Sequence, residues 1–118
     1  KDAIMIKFSV LYPYKKGAWF DSKYYSKHHI APYRNDPLVK GIIVESGDYS
    51  RDFQNPPQYM CIAHFFYDSM EDLYLSRSPE RVASQIKDNV NFTNITATNL
   101  VSQIPYYNIT KLESAGQE

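Results

Sequence analysis

The segment QYMCIAHFFY, residues 58–67, constrains the fold of this chain more than any other. Side chains alternate between the two faces of a strand. Met60, Ile62, His64 and Phe66 therefore share one face, and Tyr59, Cys61, Ala63, Phe65 and Tyr67 take the other. A strand that is apolar on both faces belongs at the centre of a sheet, or in a sheet covered on both sides. The rest of the chain has to supply those covers.

Residues 4–12, IMIKFSVLY, alternate in the same manner, with Ile6, Phe8 and Val10 on one face and Lys7 and Ser9 on the other. Pro13 and the run Lys15-Lys16-Gly17 end that strand. Asp21 is a good N-cap, and Phe20 before it can staple onto Tyr25, which predicts a helix from about Ser22 to Ile30. Pro32 is expected to stop it. LVKGIIVESG, residues 38–47, reads as a second strand, and SRDFQNPPQ as a polar loop. After the strand at 58–67, Ser69-x-x-Asp72 approximates a capping box, and Ser78-Pro79 starts a fresh helical segment that runs to about Asp88. Asn89, Asn91 and Asn94 mark turns, and residues 95–106 return to strand.

This order, strand–helix–strand–strand–helix–strand, is the split βαβ or ferredoxin-like arrangement of the α+β class. It is a βαββαβ fold with a four-stranded antiparallel sheet and both helices on one face. The other face needs a cover as well, and the simplest is a second copy, giving a symmetric homodimer through the sheet face. At 118 residues the chain fits one domain, 1–118, with a loose polar tail from about 112 to 118.

Thirteen basic and thirteen acidic side chains cancel, so no global field draws in nucleic acid or an anionic membrane. No apolar run approaches the ~20 residues that span a bilayer. The opening KDAIMIKFSV alternates like a strand rather than forming the apolar stretch of a signal peptide. One cysteine cannot form an internal disulfide, which fits a cytoplasmic protein. Three Asn-x-Thr triplets, at Asn91, Asn94 and Asn108, then read as chance. Eleven Tyr, six Phe and one Trp give wide apolar surfaces with polar spots, the character of pockets and subunit interfaces.

The stretch FDSKYYSKHHIAPY, residues 20–33, concentrates this aromatic character around two histidines. On a wheel at ~100° per residue both border an aromatic face, with His28 nearer its centre. Tyr25 and His29 are an i, i+4 pair and can touch. Histidine moves protons near neutral pH, and among tyrosine hydroxyls it can act as general acid or base. The alternative is a partly buried histidine bonded to a carbonyl at the helix end, where the dipole also favours it. His64 likewise reads as a satisfied core or interface histidine unless it faces a ligand. The two helix histidines diverge, and neither HExxH nor CxxC occurs, so no metal is expected. A thiol–imidazole pair through Cys61 lacks any sequence sign of a lowered thiol pKa. There is no GxSxG elbow and no phosphate- or dinucleotide-binding glycine loop. Trp19 reads as a lid or interface residue.

Taken together, IKFSVLYPYKKGAWFDSKYYSKHHIAPY, AHFFYDSMEDL and NFTNI resemble the EthD family of small dimeric α+β barrel proteins, in order, from about Ile4 to Ile104. The resemblance implies the ferredoxin-like fold, pairing through the sheets, and chemistry without metal or organic cofactor. The family takes its name from a protein required for bacterial breakdown of ethyl tert-butyl ether. Its relatives include muconolactone methylisomerases and dehydratase- or cyclase-like proteins of aromatic polyketides. The family's helix histidine falls on His29 and its strand histidine on His64. Here Pro32 lies three residues after His29 rather than the two common in relatives, which places the helix end one residue later. Ala97 stands where relatives often have proline.

The expectation from these readings is a cofactor-independent enzyme of the isomerase, dehydratase or cyclase type. Its substrate would be a small apolar acid, lactone or aromatic metabolite held between sheet and helices. His29, Tyr25 and His28 are the candidate catalytic residues. Tyr24, Tyr12, His64, Trp19 and Cys61 are the candidates for binding substrate. A cofactor-free monooxygenase, a non-catalytic binding or accessory protein, and a purely structural dimer are the alternatives. The enzyme, the monooxygenase and the binding protein require a cavity beside His29, whereas the structural dimer requires it packed with no room.

Overall fold

The strand with two apolar faces does lie inside the sheet. The computed structural model describes residues 5–110. Strands β1 (Ile6–Pro13), β2 (Val39–Ser46), β3 (Tyr59–Tyr67) and β4 (Thr98–Gln103) form one sheet in the order β2–β3–β1–β4. Every neighbouring pair is antiparallel. With the helices between them, this is the ferredoxin-like α+β arrangement. The tail expected to be loose lies outside the described residues.

The core sits on one face of this sheet. Cys61, Ala63, Phe65 and Tyr67 of β3 and Ile6, Val10 and Tyr12 of β1 are buried there. They pack against Tyr25, Ile30, Tyr33, Leu73, Phe92 and Ile95 from the helical layer and its connections. Burying each large apolar side chain is worth roughly 1.5–3 kcal/mol, so this layer is the main stabilising element.

Helices α3 (Met70–Ser76) and α4 (Pro79–Asp88) begin where their caps predict. Ser69 Oγ accepts the Asp72 N–H at 3.1 Å, and Ser78 Oγ accepts the Arg81 N–H at 3.2 Å. Their junction is tied to the chain before β2 by Asp36, whose Oδ2 accepts from Arg81 Nη1 at 2.7 Å and from Ser76 Oγ at 2.8 Å. Burial pushes the Asp36 carboxyl up, but the Leu38 N–H, Ser76 and Arg81 together hold it below the usual carboxylate range. Beside it the Arg77 guanidinium lies over the rings of Phe8 and Tyr33, at 4.1 and 4.7 Å from their centroids. Such cation–π contacts offset part of the cost of placing the charge there.

Two local expectations are corrected. The helix predicted over 22–30 is two pieces, α1 (Ser22–Tyr24) and a π-helical turn (Tyr25–His29), and the helical path runs on into α2 (Ala31–Arg34). The Ile30 N–H reaches back five residues to the Tyr25 carbonyl at 3.2 Å. Pro32 does not end the helical path, because it falls in the first turn of α2, where a missing N–H costs nothing. The final strand is also shorter than 95–106, since the side chain of Ile95 turns into the core instead of continuing the ladder. Among the described residues no helix is long and apolar enough to cross a membrane.

Candidate active site

The segment Asn91-Phe92-Thr93-Asn94 fixes the geometry around the helix histidines. Thr93 Oγ1 donates to the Trp19 carbonyl at 2.8 Å, and Asn94 Oδ1 accepts the Trp19 N–H at 3.0 Å. Asn94 Nδ2 also donates to the Gly17 carbonyl at 3.0 Å. One step later the Asp21 N–H donates to the Phe92 carbonyl at 2.8 Å, while Asp21 Oδ1 caps the Tyr24 N–H at 3.0 Å. Three positions within the Asn-x-Thr triplets thus have structural work, clamping the start of α1 to the chain beyond α4.

Phe92, fully buried, is the hub of the ring cluster. Its centroid lies 4.4 Å from His29, 5.0 Å from Tyr25, 5.3 Å from Phe20 and 5.9 Å from Tyr12. These rings, with Phe65 and Cys61 on the sheet, fill the space between sheet and helices in which a substrate was expected. The wider π turn carries His29 inward, so that its ring stacks on Tyr25 at 4.9 Å. His28, which an ideal wheel puts nearer the centre, is exposed and rests against Tyr24 at 5.0 Å. π turns occur disproportionately at functional sites.

His29 is 5% exposed and its Nδ1 lies 2.8 Å from Asp88 Oδ2, at the end of α4. The same carboxylate accepts from the Tyr24 hydroxyl at 2.7 Å and from Asn91 Nδ2 at 2.9 Å. Burial pushes Asp88 up, yet the bonds from Asn91, Tyr24 and His29 outweigh it and hold the carboxyl below its usual range. Burial also lowers the His29 pKa, and the nearby Asp88 only partly restores it. At neutral pH the pair is therefore an ionised carboxylate beside a neutral imidazole. An acceptor at Nδ1 places the ring proton there and leaves the Nε2 lone pair free to act. Among the described residues Nε2 has no hydrogen-bond partner. Gln85 Nε2 holds the His29 backbone carbonyl at 3.1 Å.

His29 borders a groove of about 360 Å³ that opens between the π turn and α4 and is lined by Tyr24, His28, Ser84, Gln85, Asp88 and other residues. Its walls are largely polar. The structure thus brings Tyr24, His28 and His29 together and sets Tyr25 behind His29. Tyr12 lies deeper, with its hydroxyl pushed up to about 12 by burial, and Tyr25 is pushed higher by burial and by nearby Tyr12. Cys61 is fully buried beside Tyr12 in the register of β1 and β3, and burial raises its thiol to about 12. His64 stands on the opposite face of the sheet, bonded to Ser9 and Glu45. Trp19 is 44% exposed on the clamped loop.

Sequence reasoning missed Asp88 and Asn91. A signal was present: a carboxylate in the last turn of a helix opposes the macrodipole and so points to a compensating partner. Among the described residues no three His, Cys, Asp or Glu side chains stand together as a metal-ligand set.

No protein-family model matches the sequence, and no curated protein does. Solved structures match well. An EthD-like protein from Ralstonia eutropha JMP134 superposes with a TM-score of 0.80 at 28% identity, covering 91% of this chain and 97% of that one. An ethyl tert-butyl ether D (EthD) family protein from Bacillus halodurans C-125 gives 0.65 at 18% identity, over 85% and 98%. A dimeric ferredoxin-like protein of unknown function from Thermobifida fusca gives 0.60 at 9%, over 87% and 93%. Two enzymes share the fold at 0.59 and 0.58: a hydroxynitrile lyase from Passiflora edulis (17% identity, 91% and 99% covered) and a cofactor-independent oxygenase from Streptomyces nogalater (7%, 90% and 97%). The chain is thus one of the ferredoxin-like α+β proteins, a class with dimeric members. Within that class it is similar to the EthD-like protein from Ralstonia eutropha, in agreement with the resemblance carried by its own motifs.

Proposed function

We propose that this chain is a cofactor-independent enzyme that moves a proton on a small organic molecule, with the Asp88–His29 pair as its base. One observation carries the reading: a buried imidazole bordering a groove, with Nδ1 tied to an ionised carboxylate and Nε2 without a hydrogen-bond partner among the described residues. Nε2 takes a proton from the substrate, and Asp88 steadies the imidazolium that forms. General-base catalysis of this kind is worth about 10²–10⁴-fold in rate. The Tyr24 hydroxyl, bonded to the same carboxylate, keeps Asp88 aligned, and exposed His28 orients substrate oxygen. Tyr25 supports His29 from behind. With the interior filled by rings, the substrate sits in the polar groove, so a compound carrying oxygen functions fits better than a wholly apolar one. The lyase and the oxygenase of like fold are consistent with isomerisation, elimination, or deprotonation of a phenol ahead of oxygen attack. Assembly is a homodimer through the open sheet face, on which Leu11, Ile43, Ile62 and Phe66 stand; the dimeric relative supports this.

The test is proton exchange. Lactones, hydroxy-ketones and phenolic ketones are incubated with the protein in D₂O, and carbon-bound deuterium is followed by NMR. The wild-type protein is expected to accelerate exchange for at least one class, and His29→Gln to abolish it while the fold is retained. Exchange equal in both proteins across the panel would overturn the reading.

A further inference from the structure

The groove beside His29 has two walls whose residues repeat at helical spacing. Tyr24 and His28, at i and i+4, stand on one; Ser84, Asp88 and Asn91, at i, i+4 and i+7 along α4 and the turn after it, stand on the other. Lys87 joins the second wall. Adjacent helix residues lie ~1.5 Å apart along the axis and ~100° around it, so the Lys87 side chain starts beside that of Asp88. Its four-carbon stem can lie along the wall and carry the ammonium over the groove. At about 360 Å³ the space is near the small end of the ~300–1,000 Å³ range of small-molecule sites.

The two formal charges of the second wall are unequally satisfied. The Asp88 carboxylate takes Tyr24, His29 and Asn91 at 2.7, 2.8 and 2.9 Å, so little of its bonding capacity is left for a ligand. Lys87 is different: among the described residues no carboxylate lies within ion-pair distance of its ammonium. The groove therefore keeps one uncompensated positive charge, one helical step from the residue that holds His29. The ionised Asp88 in turn disfavours an anionic group placed directly against His29.

We propose that Lys87 anchors the substrate of this groove through a carboxylate, and that the substrate is a small oxo or hydroxy monocarboxylic acid. The carboxylate pairs with Lys87, which leaves the carbon next to the carbonyl within reach of His29 Nε2 and the carbonyl oxygen beside His28. This rests on the groove being the substrate site and narrows the class of compound it takes. Lys87 stands in the last turn of α4, where it also offsets the helix dipole. That second role bears on stability and is blind to the charge of a ligand.

The test compares levulinate and phenylpyruvate with their methyl esters, titrated by calorimetry into the full chain at low and at physiological salt. The acids are expected to bind about fivefold more tightly than the esters at low salt, the upper end for an exposed ion pair. Added salt should narrow the gap. Lys87→Gln should close it, and Lys87→Arg should keep it. Urea unfolding of both variants reads the dipole role separately. A gap below about twofold, a gap that survives Lys87→Gln, or no saturable binding of either acid would each overturn the anchor. Deuterium exchange on the same four compounds separates this from the base reading. A Lys87-dependent preference for the acids with no exchange in any compound would keep the anchor and overturn the base. Exchange that is lost in His29→Gln but equal for acid and ester would keep the base and overturn the anchor.

Discussion

Phe92→Ala tests whether one ring holds the site in place. Phe92 is fully buried, and four rings have centroids within 6 Å of its own. Replacing a buried phenylalanine with alanine costs about 3–5 kcal/mol, least where neighbours can collapse into the space. Here Tyr12 is fixed in β1 and Tyr25 in the π turn, while Phe20 is pinned by its bridge to Thr93. The upper part of the range, about 4–5 kcal/mol, follows. That is a large share of the ~5–15 kcal/mol typical of a domain. Urea unfolding should show a lower midpoint with an unchanged slope. Tyr74→Ala, at a side chain 68% exposed, should stay within about 0.5 kcal/mol. A second readout reports on the site itself. Burial lowers the His29 pKa, so opening its environment to water should raise the titration midpoint towards the ordinary value. A loss under about 1.5 kcal/mol, or an unmoved His29 titration, would refute this reasoning.

Other perturbations have equally definite outcomes. Gly47→Ala would bring a Cβ to 1.9 Å from the Tyr59 carbonyl oxygen, so the hairpin backbone must shift; a loss of about 1–3 kcal/mol in denaturant unfolding is expected. Ser78→Ala removes the cap on the Arg81 N–H and should cost about 1 kcal/mol, with Ser78→Asp recovering most of it. The lowered pKa of His29 gives a sign to acid sensitivity. Its contribution to stability is complete above the ordinary histidine value of 6.5 and declines as pH falls towards the folded value, because the unfolded chain takes up the proton first. Asp88, with a depressed pKa, adds a separate loss below its ordinary 3.8. His29→Gln should therefore flatten the stability profile just below pH 6.5 and leave the more acidic limb.

The fold was legible because its signals are local and mutually consistent. Two-faced apolar character put β3 inside the sheet, and Ser69 and Ser78 announced their helices through cap chemistry alone. The site was only half legible. Tyr24, Tyr25, His28 and His29 are neighbours in sequence and could be grouped by eye, but an ideal wheel misjudged which histidine turns in. The π turn that decides it follows a helix start anchored through Asp21 to Phe92, a contact across the fold. Asp88 reaches His29 from 59 residues away, a separation that periodicity does not bridge. The filled interior was hidden for a similar reason, since the shape left between rings depends on how Tyr12, Tyr25 and Phe92 interlock rather than on their number.

Nitrogen-15 NMR of the His29 imidazole, recorded near pH 7.5 in the wild type and in Asp88→Asn, bears most directly on the proposed base. The expected spectrum is a neutral ring protonated at Nδ1, with a titration midpoint that falls further in Asp88→Asn because the carboxylate no longer supports the charged form. A ring protonated at Nε2, or one whose midpoint does not respond to the loss of Asp88, would contradict it.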